Sequence, residues 1–276
     1  MNNYTQIILV DVSYVIFYRF FATLKWYSIV YKEDYNNIKN TLTDYNWLDN
    51  NIFISKLEKI FFKSITDLFD KQLFNETNIY FCFDATNNNN VWRKQIFENY
   101  KINRINLCNK YNLNSVFNHI YNIIISIKST NIINYYTFNH INSIQHNNLE
   151  ADDIIACICL HMRQNKNIYI LSADKDFYQL GSINVFFIDF KTKVFKNLTE
   201  EEAKHELNKK IIYGDKSDCI PSIVTNKSKK KLLNEEYLSN FLKKNIQSNK
   251  QYELNTKLIN FKSIPEIYYT EIITQI

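Results

Sequence analysis

Ile168-Tyr-Ile-Leu-Ser-Ala-Asp-Lys-Asp176 is a short apolar run that ends in two acidic residues. Two other runs have the same form: Gln6-Ile-Ile-Leu-Val10 precedes Asp11, and Ile79-Tyr-Phe-Cys-Phe83 precedes Asp84. Short, continuous runs of β-branched and aromatic residues are typical of strands that are buried on both faces of a parallel sheet. The three runs therefore predict three parallel strands, each of which carries a carboxylate at its carboxyl end.

Amphipathic stretches separate these runs and predict helices at about 13–30, 52–74, 91–128 and 150–165. The alternation predicts an α/β fold in which a central, mostly parallel sheet is flanked by helices. The polar segment 31–51 is predicted to be a loop insertion. From about residue 199 the pattern becomes helical and more basic, so we expect an α/β domain over 1–198 and a smaller helical subdomain over 199–276.

Composition restricts the function only weakly. A net charge of +5 permits nucleic-acid binding without indicating it. The five cysteines are scattered and form no Cys-x-x-Cys pair, so we expect no disulfide framework, no zinc site and an intracellular, reducing compartment. Because Asp11 and Arg19 interrupt the apolar stretch 5–24, we predict neither a membrane span nor a targeting segment there.

Acidic residues near the strand ends are the main functional signal. They are Asp11, Asp84, Glu150, Asp152, Asp153, Asp174, Asp176, Asp215 and Asp218. If they converge, carboxylates about 4 Å apart repel by roughly 4 kcal/mol at an effective dielectric constant near 20, so they need cations to stay ionised together. Oxygen ligands suit Mg²⁺ or Mn²⁺, and two such ions support phosphodiester cleavage. The alternative is helix caps and solvated surface, which explains a single acid better than the whole set.

The segment from Val91 to Lys110 is basic, with a balance of +4. Its basic residues are Arg93, Lys94, Lys101, Arg104 and Lys110. We expect Lys94, Lys101 and Arg104 to share a helix face with Tyr100, an arrangement that suits single-strand binding because cations meet phosphates and a ring stacks on a base. A solvated helix face with a buried tyrosine is the alternative. A second basic run, Lys227, Lys229, Lys230 and Lys231, is a candidate for contact with a duplex backbone.

Five motifs in this order resemble the flap-endonuclease and 5′–3′ exonuclease family over about residues 5–221. They are Leu9-Val-Asp-Val-Ser13, Phe83-Asp84 with Trp92-Arg93 and Tyr100-Lys101-Ile-Asn-Arg104, Glu150-Ala-Asp-Asp153, Ser172-Ala-Asp-Lys-Asp176, and Gly214-Asp-Lys-Ser-Asp218 with Ile220-Pro221. Within the family the pattern is most similar to the RNase H of T-even phages, a likeness that extends to the tail between Tyr252 and Tyr269.

The resemblance implies a PIN-like 5′-nuclease fold with a helical arch at about 88–120 and a DNA-binding subdomain over 199–276. It implies a structure-specific 5′ nuclease that uses two divalent cations, Mg²⁺ or Mn²⁺. The substrates would be 5′ flaps and nicked or RNA–DNA hybrid ends in DNA replication or repair. A monomer, replication-protein partners and a phage or viral origin are further expectations.

The same resemblance assigns roles to individual residues. The first metal would be held by Asp11, Asp84, Glu150 and Asp152. The second metal would be held by Asp174, Asp176 and Asp218. Asp153 and Asp215 would either be ligands shared by the two ions or would contact the ligands without contacting an ion. Lys101 and Arg104 would steady the scissile phosphate, Arg93 would support them, and Tyr100 would stack on a base.

The sequence departs from the family after the last aspartate pair. Most members continue with a glycine-rich helix-hairpin-helix element that binds the duplex backbone, whereas Pro221 to Lys231 contains no glycine. The basic run would then replace the hairpin by simple attraction to phosphates. Three alternatives to the nuclease stay open at this point: an inactive nucleic-acid-binding protein of the same fold, a PIN-like ribonuclease, and an Asp-x-Asp phosphatase.

Overall fold

The protein is described by a computed structural model that covers residues 6–69, 77–104, 110–130, 132–133, 136–137, 140–190, 192–224 and 227–276. Its strands are β1 (Gln6–Asp11), β2 (Thr77–Phe83), β3 (Ile132–Ile133), β4 (Tyr136–Thr137), β5 (Ile141–Gln145), β6 (Asn167–Leu171), β7 (Val185–Asp189) and β8 (Val194–Asn197). The short strands β3 and β4 pair with each other in an antiparallel hairpin, and the other six form the main sheet.

The order of strands in the main sheet is β5-β2-β1-β6-β7-β8. All neighbouring pairs are parallel except β7 and β8. In this register Val10 of β1 lies opposite Phe81 of β2 and Leu171 of β6. The three central strands therefore end at one edge of the sheet, where ligands bind in open α/β sheets. The three strands predicted from the sequence are confirmed.

The α-helices are α1 (Val12–Val30), α2 (Lys32–Ile38), α3 (Asn51–Thr66), α4 (Trp92–Ile96), α5 (Leu113–Thr130), α6 (Ala151–Met162), α7 (Glu200–Tyr213), α8 (Glu235–Lys244), α9 (Ile246–Ile259) and α10 (Glu266–Ile273). Single 3-10 helices include Ile102–Arg104, Lys175–Leu180 and Lys227–Leu233. Among the described residues, no helix combines the length and the apolar character that crossing a membrane requires.

The sheet is covered on both faces, as its continuous apolar strands predict. Ile8 and Val10 of β1 belong to a core formed with α1, α3 and α5. Ile7 and Leu9 belong to the opposite core, which is formed with α6 and includes Ile272 of α10. Burial of each such side chain stabilises the fold by about 1.5–3 kcal/mol. The predicted α/β class is confirmed, with helices following the sheet in the C-terminal part.

Two local predictions were wrong. The segment 31–51 is not simply a loop, because α2 forms at Lys32; Glu33 and Asp34 lie in its first turn, where acidic side chains interact favourably with the helix dipole. The stretch 91–128 is not one continuous helix either. Helix α4 ends at Ile96, because the next residue, Phe97, has an extended backbone. Lys101 has a φ of 54°, a left-handed conformation that a right-handed helix cannot contain. Part of the predicted arch, residues 105–109, lies outside the described residues.

The C-terminal helices are tied to the rest of the chain by a buried amide. Asn255 of α9 is fully buried, and its Nδ2 donates to the carbonyl oxygens of Ile211 and Pro221 at 2.8 Å each. Ile211 lies in α7, and Pro221 follows the last predicted aspartate pair. The amide therefore fixes α9 against the segment that carries Asp215 and Asp218.

Replacement Asn255→Leu should destabilise the protein by about 1–3 kcal/mol, because two buried carbonyl groups lose their donors. Chemical denaturation would measure the change in the free energy of unfolding. The matched control is Asn249→Leu on the same helix, since the Asn249 amide bonds only to Glu253 at an exposed position among the described contacts. An equal effect of both substitutions would contradict a specific role for the Asn255 amide.

Candidate metal centre

Two aspartates reach the site directly from the strands. Asp11 ends β1 and caps α1 by accepting from the backbone N of Tyr14 at 3.0 Å. Its other oxygen accepts from the Ser172 hydroxyl, which follows β6, at 3.1 Å. Asp84 follows β2 and accepts from the backbone N of Ala151 at 2.9 Å. Each aspartate is therefore bonded to a segment that carries further acids.

Glu150, Asp152 and Asp153 lie in the first turn of α6, where the helix dipole favours negative charge. Each offers an oxygen within 4.8 Å of those of the other two. Asp152 Oδ1 is buried, lies 3.8 Å from Arg93 Nη1 and has no hydrogen-bond partner in the described part of the chain. A buried carboxylate oxygen without a donor fits a position that a cation would occupy.

Asp153 differs from its neighbours because both of its oxygens lie within 2.8 Å of the Arg93 guanidinium. Arg93 contacts it with two guanidinium nitrogens, at 2.7 Å to Oδ1 and 2.8 Å to Oδ2. Trp92 Nε1 donates to Oδ2 at 3.0 Å, and so does the backbone N of Glu150 at 3.2 Å. Asp153 therefore anchors the first turn of α6. This agrees with a role in which it holds the metal-binding residues in position and does not itself contact an ion.

Lys101 lies between the two groups of acids. Its Nζ is 2.6 Å from Glu150 Oε1 and 3.9 Å from Asp218 Oδ2. Its backbone N donates to the Asp218 carbonyl at 3.1 Å, and this bond holds the left-handed turn at Lys101. Tyr100 donates its hydroxyl to Glu150 Oε2 at 2.8 Å. The ammonium therefore links the carboxylates of α6 to those that follow α7.

Asp176, Asp215 and Asp218 form the second group, with oxygens within 4.8 Å of one another. Asp174 caps the 3-10 helix Lys175–Leu180 by accepting from the Asp176 backbone N at 3.0 Å. Asp215 and Ile220 exchange two backbone hydrogen bonds, of 2.9 and 2.7 Å, which close the loop between them. Gly214 permits this turn: its φ is 70°, and a Cβ there would lie 2.4 Å from the Ile220 carbonyl oxygen.

Lys210 is a residue of the site that the sequence did not reveal. It lies in the last turn of α7, and its Nζ forms ion pairs with Asp176 and with Asp215 Oδ2, the latter at 2.7 Å. The only available signal was its place one helical turn before Gly214. In a chain with 33 basic residues that signal does not distinguish it from an exposed lysine.

Contacts connect all nine predicted acids into one continuous network. The Ser172 hydroxyl donates to the Asp11 carboxylate and accepts from the Asp174 backbone N, and the Asp174 carboxylate accepts from the Asp176 backbone N. Lys210 joins Asp176 to Asp215, and Ser217 joins Asp215 to Asp218. Lys101 joins Asp218 to Glu150, and the start of α6 joins Glu150 to Asp152, Asp153 and Asp84. The structure thus brings the whole predicted set together.

The electrostatics of the site differ between its members. Burial, followed by repulsion from Asp84, raises the pKa of Asp11 to about 7. Burial and the neighbouring Glu150 raise the pKa of Asp152 well above its usual value. Burial also disfavours ionised Glu150, but Lys101 and Arg93 outweigh it and lower the pKa of Glu150 to about 2. At Asp215, Lys210 and hydrogen bonds from Ser217 outweigh burial and lower the pKa to about 2. The internal cations leave part of the negative charge uncompensated, which fits added divalent cations.

The candidate nucleic-acid ligands fall into three groups. Arg93 and Tyr100 are each only 2% exposed and contact the acids instead of a surface, so a base cannot stack on Tyr100 in this structure. Lys94 is half-buried, and it does not share a helix with Lys101. In the 3-10 helix Lys227–Leu233, Lys229 is half-buried, and Lys230 and Lys231 are exposed. The side chains of Arg104 and Lys227 lie outside the described residues.

Comparison with known proteins gives a family match and a fold match. Residues 6–208 match the family model of the 5′-3′ exonuclease N-terminal, resolvase-like domain. A 5′-3′ exonuclease of Mycoplasmopsis pulmonis (strain UAB CTIP) is 30% identical over 186 residues, which cover 63% of this chain and 56% of that protein. The matched region therefore spans little more than half the length of this curated relative.

Solved structures from bacteriophage T5 have a similar fold. A T5 protein co-crystallised with metal ions has a TM-score of 0.60 at 15% identity, with 98% of this chain and 93% of that chain covered. A T5 flap endonuclease in a complex with DNA and metal ions has a TM-score of 0.56 at 14% identity, over 98% and 93% of the two chains. The T5 5′-exonuclease with bound zinc ions has a TM-score of 0.57 at 14% identity, over 98% of both chains. At these identities the likeness establishes the fold.

The raised pKa of Asp11 makes stability depend on pH in a metal-free protein. Folded Asp11 keeps its proton up to about pH 7, whereas the unfolded residue loses it near 3.8, so ionisation above that pH opposes folding. Glu150 and Asp215 contribute stability that is already complete above about pH 5, because their folded pKa values are lowered. In EDTA, the free energy of unfolding should therefore fall by about 1–3 kcal/mol from pH 5 to pH 8.

Urea denaturation in EDTA and in Mg²⁺ would measure this trend. Mg²⁺ should restore stability at pH 8. Asp11→Asn, which keeps the capping oxygen, should make the decline in EDTA shallower and leave the part that is due to Asp152. A stability that rises between pH 5 and pH 8 without metal would contradict the electrostatic account of the site.

Proposed function

Because this chain belongs to the 5′-3′ exonuclease family, we propose that it is a metal-dependent, structure-specific 5′ nuclease that hydrolyses phosphodiester bonds. The observation that carries the proposal is the single network of nine acids at the carboxyl edge of the sheet. Its two groups, each with oxygens within 4.8 Å, lie on either side of Lys101. Hard divalent cations bind to oxygen ligands of this kind, and Mg²⁺ or Mn²⁺ are the ions we propose.

The residues divide between two ion positions by their contacts. Glu150 and Asp152, together with Asp11 and Asp84, would hold one ion. Asp176 and Asp218, with Asp174 and Asp215, would hold the other. Bound ions would supply a Lewis acid beside the attacking water and charge stabilisation for the leaving oxygen. Asp153 is left out of both sets, because Arg93 and Trp92 occupy its oxygens.

Lys101 is the side chain that we propose to contact the scissile phosphate. It is 13% exposed, lies between the two groups of acids and has an ammonium with three donor hydrogens. A phosphate placed between the ions would meet this ammonium and could replace Asp218, its more distant partner. Arg93 and Tyr100 would position Glu150 and Asp153 from the buried side. Arg104 keeps its predicted role at the phosphate.

The substrate would approach from the side of the basic segments. Lys230 and Lys231 are exposed, and Lys229 lies with its Nζ 5.6 Å from the Tyr213 ring, next to the loop that carries Asp215. These lysines would attract the duplex backbone without reading its sequence, so binding should weaken with salt. We propose 5′ flaps and the 5′ ends of RNA primers as substrates, in DNA replication or repair.

The alternatives are weaker on specific grounds. A binding protein that had lost catalysis would have no reason to keep Asp152 Oδ1 buried without a donor. A PIN-like ribonuclease or an Asp-x-Asp phosphatase would not need the loop from Gly214 to Ile220, which two backbone hydrogen bonds and a left-handed glycine hold beside Asp176.

Cleavage of a 5′-labelled flap and of a nicked RNA–DNA hybrid in Mg²⁺ would test the function. The wild-type protein should release short 5′ products. Asp152→Ala should abolish release, because a cation ligand is lost. Lys101→Ala should slow cleavage by roughly 10²–10³-fold, the usual cost of removing one charge-stabilising donor.

Matched controls are Asp44→Ala and Lys25→Ala, which remove exposed side chains far from the acids in sequence and should leave the rate unchanged. Binding of both substrates should persist in Asp152→Ala. Tight binding without cleavage by the wild-type protein, in Mg²⁺ and in Mn²⁺, would favour the inactive binding protein instead.

A further inference from the structure

Lys210 occupies an unusual position for a lysine on a surface helix. It lies beside Lys209 in α7, yet the two side chains have different surroundings. Lys209 is 44% exposed and pairs with Glu206 at 3.3 Å. Lys210 is 23% exposed and inserts its ammonium between Asp176 and Asp215, which come from different parts of the chain. One ammonium therefore holds two acids of the second group together.

The ammonium and a divalent cation that bridges the same two acids need the same space. Asp176 and Asp215 are among the residues that would hold this cation, and each would offer it a carboxylate oxygen. Lys210 Nζ already contacts one oxygen of Asp176 and Oδ2 of Asp215. Two positive charges so close together would also repel each other. The second cation and the Lys210 ammonium are therefore alternative occupants of the gap between Asp176 and Asp215.

The Lys210 side chain can adopt a second position outside the gap between Asp176 and Asp215. A groove beside α7, formed with the 3-10 helix Lys175–Leu180, is lined by Lys175, Asp176, Gln179, Glu206, Lys209 and Lys210. Glu206 is one helical turn before Lys210, at the i,i+4 spacing at which oppositely charged side chains meet. A change of rotamer would move the ammonium out of the gap and towards Glu206 while the backbone of α7 stays in place.

We propose that Lys210 is a displaceable internal counter-ion that competes with the second divalent cation. It keeps Asp176 and Asp215 together before that cation binds and lowers the affinity of the second ion position. The second position then fills only at a higher cation concentration than it would without the ammonium. This inference rests on the proposed nuclease function, because it concerns the same site.

A permanent brace would have the opposite effect on cation affinity. If Lys210 only positioned Asp176 and Asp215 as ligands, its removal would let the two acids move apart and would weaken cation binding. If Lys210 competes, its removal leaves the acids free for the cation and strengthens binding. The sign of the change in affinity therefore separates the two roles, and it requires no measurement of cleavage.

The test is a Mn²⁺ titration without nucleic acid, in which electron paramagnetic resonance measures free Mn²⁺. Lys210→Met keeps an unbranched side chain, one atom shorter, and removes its charge. Lys204→Met is the matched control, because Lys204 lies on the same helix, is exposed and pairs with Glu235 instead of Glu206. The wild-type protein should bind two Mn²⁺. Lys210→Met should tighten one of the two binding steps by roughly tenfold or more, the size expected when a close charge is removed, and Lys204→Met should change neither.

A second measurement, thermal unfolding, distinguishes a change in cation affinity from misfolding of the variant. In EDTA, Lys210→Met should unfold at a lower temperature than the wild type, because Asp176 and Asp215 repel each other without the ammonium. Saturating Mn²⁺ should remove that difference. Unchanged or weaker second-site binding in a Lys210→Met protein that folds in Mn²⁺, or a variant that Mn²⁺ does not restore, would overturn the proposal.

Failure of the inference and failure of the proposed function remain distinguishable. If the wild type cleaves a flap and Lys210→Met does not tighten Mn²⁺ binding, the counter-ion role is wrong and the nuclease stands. If Mn²⁺ binding changes as expected and no protein cleaves any 5′ end, the counter-ion role stands and the nuclease assignment is wrong.

Discussion

The buried guanidinium of Arg93 connects three parts of the chain that are distant in sequence. It holds both oxygens of Asp153 in α6, contacts Glu150, and donates from Nε to the carbonyl of Leu258 in α9 at 2.7 Å. A buried charge without such partners would cost several kcal/mol. The first turn of α6, the start of the basic segment and the C-terminal helices must therefore pack together, and the direction of the acids depends on that packing.

The rest of the site balances negative charge with cations from the chain. Arg93 and Lys101 serve the acids of α6, and Lys210 serves those that follow α7. Lys101 joins Glu150 to Asp218, and Lys210 joins Asp176 to Asp215, so these two lysines bridge acids from different segments and the network assembles as the chain folds. The compensation is incomplete, since burial keeps the pKa of Asp11 at about 7 and the pKa of Asp152 above its usual value. Carboxyl groups whose pKa values stay raised in this way fit the cation site that we propose.

The sequence predicted what depends on neighbours along the chain, and it missed what depends on tertiary contacts. A strand that is followed by Asp places that residue at the sheet edge. The sequence pattern alone therefore predicted the positions of Asp11, Asp84 and Asp174. The burial of Tyr100 and the ion pairs of Lys210 depend on α7 and α9 packing beside the sheet. The break after α4 was missed because a hydrogen bond to the distant Asp218 holds Lys101 in a left-handed turn. The division into domains at residue 198 stays a prediction.

The most direct measurement for the central claim is a crystal structure of the protein grown with Mn²⁺, with ions located by their anomalous scattering. The account predicts one peak beside Glu150 and Asp152 and a second beside Asp176 and Asp218, with Asp153 still paired to Arg93. Bound Mn²⁺ elsewhere, with no peak at either group of acids, would contradict the claim that this edge of the sheet is a metal centre.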